Sequence, residues 1–145
     1  MSKQSERKWG CLKAGLVAIL GFVILNSAVN WWHSRPKQLL NRFLDVSWSD
    51  RITRLETSFV GGMDYTAHIY LEADAKTIED ILSKGNFAKM SDRPRPRFDS
   101  QLNFEGAPDS RSESLIRYHK HEGSVIENAA RSKDGRRLWY GAFDY

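Results

Sequence analysis

The chain has one cysteine, and that residue, Cys11, stands ahead of the long apolar stretch rather than behind it. An intramolecular disulfide is excluded. So is the order of a lipoprotein, in which the lipid-bearing cysteine follows the apolar stretch directly after a cleavage site. A GxSxG nucleophile turn and a glycine-rich phosphate loop are also missing, and no thiol lies beyond residue 45 to act as a nucleophile. No internal repeat is visible, which argues against a solenoid or propeller. These absences make a non-catalytic protein the leading expectation and an enzyme the lesser one.

Charge of one sign is scarce where a nucleic-acid-binding domain would need it. The chain carries 22 Lys and Arg against 18 Asp and Glu, with a pI near 9.3. Seven of the basic residues (Lys3, Arg7, Lys8, Lys13, Arg35, Lys37 and Arg42) fall within residues 1–45, against only Glu6 and Asp45. The remainder therefore has fifteen basic and sixteen acidic residues, a net charge of −1. The basicity flanks the apolar stretch, where it would meet anionic headgroups, and nucleic acid is not an expected partner.

Charge is absent altogether from residues 14–32. At 1.5 Å per residue this stretch spans about 28 Å, close to the thickness of a hydrocarbon core. It predicts a transmembrane anchor over 14–32 behind a basic tail of residues 1–13, with the lipid bilayer as a partner. Trp31 and Trp32 stand where an interfacial aromatic belt belongs. Ala14, Ala18, Gly21 and Ala28, with Leu25 among them, recur at spacings of three and four and form a seam suited to a homodimer of anchors. The short tail and Lys13 at the boundary favour a cytoplasmic N-terminus, with the domain on the outer side of the cell membrane. The alternative is a cleaved signal peptide and a secreted or periplasmic domain. Against it, Leu25-Asn26-Ser27 and Asn26-Ser27-Ala28 lack a small residue three positions before the cut.

What is present beyond the anchor has the makings of a fold: 41% of the chain is hydrophobic and 12% aromatic, more than a disordered chain carries. Residues 33–45 read as an amphipathic juxtamembrane helix or linker, with Ser34 as N-cap and Pro36 in the first turn. Leu39, Leu40, Phe43 and Leu44 share one face, which could lie among headgroups or cap a core. A single α+β domain is expected over 46–145. A strand over 52–60, a Gly61-Gly62 turn and an alternating strand containing Tyr65, Ala67, Ile69 and Leu71 form a hairpin. Asp74 caps a helix with Ile78, Ile81 and Leu82 on one face; Gly85 is placed to end it and Phe87 to pack back. Residues 86–113 read as a long loop with one short strand near 102–104. Strands return over 115–121, 124–131 and 136–145, with a Lys133-Asp134-Gly135 turn. The architecture expected is a mainly antiparallel sheet of four or five strands, covered on one face by the one helix.

Four features carry candidate chemistry. His119 and His121 project to the same side of a strand and could share a metal, the basis of a metal-dependent enzyme as the runner-up reading; the leading expectation has no cofactor. Asp64 and His68 share a strand face but lie about 13 Å apart, too far for a dyad. Arg93, Arg95 and Arg97 alternate with prolines in a stiff cationic run that could meet an acidic protein surface or a lipid surface, or stay solvated. In the last strand Trp139, Phe143 and Tyr145 share one face and Leu138 and Tyr140 the other. One face belongs to the core, and Tyr140 would suit a protein interface if its face is exposed. The expectation as a whole is a single-pass, membrane-anchored interaction domain of envelope-accessory or immunity type, acting on a protein partner.

Overall fold

Residues 15–28, 31, 35–61, 64–90, 96–112 and 114–144 are described by the computed structural model. Two units are distinguished, residues 1–33 and 34–145. In the first, residues 15–28 form helix α1. Its large apolar side chains are exposed on every side, from 55% at Val23 to 72% at Val17. Among the described residues no helix is long and apolar enough to cross a membrane. As described, α1 is about 21 Å long. Ala14, Trp32 and residues 29–30 of the expected anchor lie outside the described residues.

The second unit begins with α2, Pro36–Leu44. Pro36 occupies the first helical turn, and the N-cap position falls on Arg35, which makes no side-chain cap bond. This displaces the cap expected at Ser34, a residue outside the described ones. Leu39 and Leu40 are fully buried and Leu44 nearly so, packed against strand residues, so this helix caps the core of the domain. The domain therefore includes the segment that read as a linker.

The strands are β1 (Ile52–Val60), β2 (Thr66–Ala73), β3 (Ala88–Lys89), β4 (Leu115–Glu122), β5 (Val125–Ser132) and β6 (Arg137–Asp144). They form one six-stranded sheet in the order β1-β2-β6-β5-β4-β3, every pair antiparallel. Each hairpin follows from local turn chemistry, whereas the β2–β6 pairing that joins them spans most of the domain. Between β2 and β3 runs α3, Ala75–Lys84, whose Ile78, Ile81 and Leu82 are buried. Asp74 caps it through Oδ1, which accepts from the Thr77 backbone N–H at 2.9 Å. The left-handed residue after the helix is Asn86 (φ 54), not Gly85. Gly85 is the C-cap that ends the helix, as expected, and a Cβ there would crowd the Phe87 ring folded back over it.

Strand alternation puts Ala67, Ile69, Leu71, Ala129, Leu138, Tyr140 and Ala142 on one face, under α2 and α3. The opposite face carries Tyr70, Leu115, Ala130 and Trp139, and it is buried too. Its cover is the segment that read as a loop. That segment holds β3, the helix α4 (Pro96–Gln101) and a 3-10 turn at Ser110–Ser112, and it sets Phe98 and Leu102 onto Tyr70 and Trp139. No strand forms near residues 102–104. The expected arrangement of four or five strands with one helix on one face thus becomes six strands covered on both faces. The segment looks solvated from its polar side chains, but sheet side chains hold its backbone carbonyls and Ser110 braces it internally. Trp139 Nε1 donates to Pro108 O at 2.9 Å, Ser110 Oγ to Asp99 O at 2.9 Å, and Arg54 Nη2 to Gly106 O at 2.9 Å.

Candidate functional site

The β4–β5 hairpin positions a connected group of ionic side chains. Its two-residue turn, Gly123-Ser124, pairs Glu122 with Val125 and so sets Lys120 opposite Glu127. Lys120 Nζ reaches Glu122 Oε2 at 3.0 Å and Glu127 Oε1 at 3.2 Å. The other oxygen of Glu127 accepts from the Tyr140 hydroxyl at 2.9 Å. Phe43, Tyr65 and Arg42 close the far wall of a cleft of about 290 Å³. The Arg42 guanidinium stands 5.2 to 5.9 Å from the centroids of Phe43, Tyr65 and Phe59, a cation held over aromatic rings.

Electrostatics fixes the protonation of this cleft. Burial, then the neighbouring Glu127 carboxylate, pushes the Tyr140 phenol far above its ordinary value. The Glu122 carboxylate is the first cause raising Lys120, against a smaller opposing effect of burial. Tyr65 is raised by burial and by Asp144. A phenol that stays neutral and an ammonium that stays charged at all ordinary pH values present a constant pattern of donors and charge. Both shifts lead away from the neutral range in which proton transfer works best.

Among the described residues, hollows also lie elsewhere on the domain. One, of about 660 Å³, is lined by Arg51, Glu72, Asp74, Asp134 and Arg136 among others, with charges of both signs. Another, of about 510 Å³, is formed by Arg35, Pro36, Lys37, Gln38, Trp48 and Leu55.

The residues singled out by the sequence are distributed as follows. His119 and His121 are exposed near the end of β4, with Asn128 and Ile126 as their β5 partners. They share a face, but two ligands do not complete a site, and among the described residues no group of three or more His, Cys, Asp or Glu is placed to hold a metal. His68 Nε2 instead bonds the Gln101 carbonyl oxygen at 2.9 Å, with the ring stacked on Phe104 and edge-on to Phe143. Arg97 is exposed on α4, in a helix rather than an extended run; Arg93 and Arg95 lie outside the described residues. Tyr140 is fully buried, which corrects its expected place on an interface: both faces of β6 are core. Ala18 and Gly21 lie on α1, and Trp31 is helical and 64% exposed.

The Lys120–Glu127 pair was within reach of the sequence, because a Gly-Ser turn at 123–124 fixes the register of the hairpin. The contribution of Arg42 and Tyr65 was not, since it depends on how α2 and β2 meet β6. No family model, curated protein or solved structure matches the chain.

Proposed function

We propose that the protein is a single-pass membrane-anchored protein whose α+β domain is a non-catalytic interaction module for another protein in the cell envelope. The observation that carries the reading is the uniform exposure of Leu16, Val17, Ile19, Leu20, Phe22, Val23, Ile24 and Leu25 on α1. Up to Leu25, before Asn26 and Ser27, this helix is apolar on every side, and a bilayer is the medium that accepts such a surface. The uncharged sequence continues on both sides of the described helix, over residues 14–32 in all. The fixed charge pattern beside Lys120 and Glu127 supports recognition rather than turnover. The N-terminus is assigned to the cytoplasm and the domain to the outer side, with the small-residue seam of Ala14, Ala18 and Gly21 available to a second anchor.

Alkaline carbonate extraction of membranes holding the full chain tests the anchor: the protein stays in the pellet at its precursor size. Release into the supernatant, or a shortened mature form, would replace the anchor with a cleaved signal. Crosslinking in intact membranes then tests the module. The expected product is a reproducible heterologous adduct, weakened by Lys120→Glu or Arg42→Glu. Adducts of the chain with itself alone would assign the domain to self-association.

A further inference from the structure

The start of α2 brings two cations to an exposed tryptophan. Pro36 in the first helical turn sets the direction in which Arg35 and Lys37 leave the helix. Lys37 Nζ lies 5.0 Å from the centroid of the Trp48 ring, and Trp48 is 40% exposed. With Leu55 they form an open hollow of about 510 Å³. The inner side of the same helix is occupied by Leu39, Leu40 and Leu44 in the core, so Lys37 and Asn41 face outward.

An indole beside an aliphatic floor, with an ammonium and a guanidinium at its rim, matches the chemistry of the bilayer interface. The ring lies at headgroup level while the cations meet phosphate oxygens. The covalent chain supplies the proximity. Arg35 follows Trp32 by three residues, at most about 11 Å of extended backbone. A patch tethered that closely meets its surface at high effective concentration, so modest contacts suffice to hold it. The basic charge flanking the apolar stretch complements anionic lipid, whereas the rest of the domain is near neutral.

We propose that the Arg35, Lys37 and Trp48 patch docks on anionic phospholipid headgroups of the bilayer holding the anchor, fixing the domain against the membrane by one side. This inference rests on the anchored reading above. Docking leaves the Lys120–Glu127 cleft with a defined orientation to the membrane plane, which would select partners by their height above it.

The test uses the full chain with Cys11→Ser and Ser47→Cys, labelled at position 47 with an environment-sensitive fluorophore. A second preparation, also with Cys11→Ser, carries the label through Lys133→Cys in the β5–β6 turn. Both are reconstituted in phosphatidylcholine vesicles and in equimolar phosphatidylcholine and phosphatidylglycerol. Docking predicts a blue shift and quenching by lipid-borne spin labels at position 47 in the anionic vesicles only, with position 133 unchanged. Arg35→Gln with Lys37→Gln lowers the docked-to-undocked ratio about 25-fold, at about fivefold for each basic group removed. A label at 47 that stays as wet as that at 133, on chains that float with the vesicles, overturns docking and leaves the anchor intact. Chains that do not float overturn both. Equal blue shifts in the two lipid compositions would also overturn the proposal, because the contact would then not be electrostatic. Circular dichroism of each variant separates loss of docking from loss of fold.

Discussion

Arg117 and Asp99 meet as a buried, two-point ion pair, Nε to Oδ1 and Nη2 to Oδ2, each at 2.7 Å, with 5% and 6% of their side chains exposed. Arg117 comes from β4 and Asp99 from α4, so the pair fastens the covering segment to the sheet. Nη1 also donates to Leu115 O at 3.2 Å, and Ser110 Oγ donates to the Asp99 carbonyl. Planar guanidinium and carboxylate match in such a fork, which lysine would not reproduce.

Removing one partner strands the other charge in the interior. Asp99→Asn or Arg117→Met is expected to cost about 3–5 kcal/mol, read as a lower urea midpoint. The double variant Asp99→Leu with Arg117→Met should cost less than the sum of the single losses, since no charge is then left buried. Additive losses would refute a coupled pair.

Tyr140→Phe keeps the ring in the core and deletes the hydroxyl that donates to Glu127. The expected loss is about 1–2 kcal/mol, because Glu127 loses its phenol donor and keeps the Lys120 ion pair. Tyr140→Ala, which also opens a cavity, should cost about 3–5 kcal/mol. Equal effects of the two variants in chemical denaturation would show that the hydroxyl, not the ring, dominates.

Burial pushes the His68 imidazole below its ordinary value of 6.5, with the Gln101 carbonyl opposing more weakly. On acidification through 6.5 the unfolded chain takes up a proton that the folded chain resists. Stability is therefore full above 6.5 and declines as pH falls below it, down to the lowered folded value. Denaturant midpoints measured across that window should fall in the wild type and fall less in His68→Gln. Parallel curves would rule out His68 as the source.

Gly135 turns the β5–β6 hairpin with φ +77, and a Cβ there would come within 3.2 Å of the Ala75 Cβ at the start of α3. Gly135→Ala should therefore destabilise the domain by about 1 kcal/mol or more, through both the left-handed backbone and the crowding. Ala75→Gly in the same chain should relieve the crowding part. No rescue would leave backbone strain as the whole cause.

The first hairpin and the Asp74-capped helix were legible because their signals are local: alternation over Ile52–Val60 and Thr66–Ala73, and Asp74 three residues before Thr77. Residues 86–113 read as a loop for a physical reason. Their Arg, Asp, Ser and Pro content suggests contact with water, whereas Asp99 is buried by virtue of Arg117 in β4, and Ser110 by virtue of the Asp99 carbonyl. A buried polar group is recognisable only with its partner, and a partner in another strand leaves no periodic trace. The same holds for Tyr140, whose neighbours on both faces decide its burial.

By itself the sequence determined the uncharged stretch of residues 14–32, the near-neutral domain after it, the α+β class, and the period-2 and helical faces of its main elements, because each depends on neighbours within a few residues. Only the tertiary structure decided that α2 belongs to the core, that β2 pairs with β6, that the sheet is covered on both faces, and that Asp99 finds Arg117. These depend on which distant surfaces exclude water together, a property of the assembled domain rather than of any one segment.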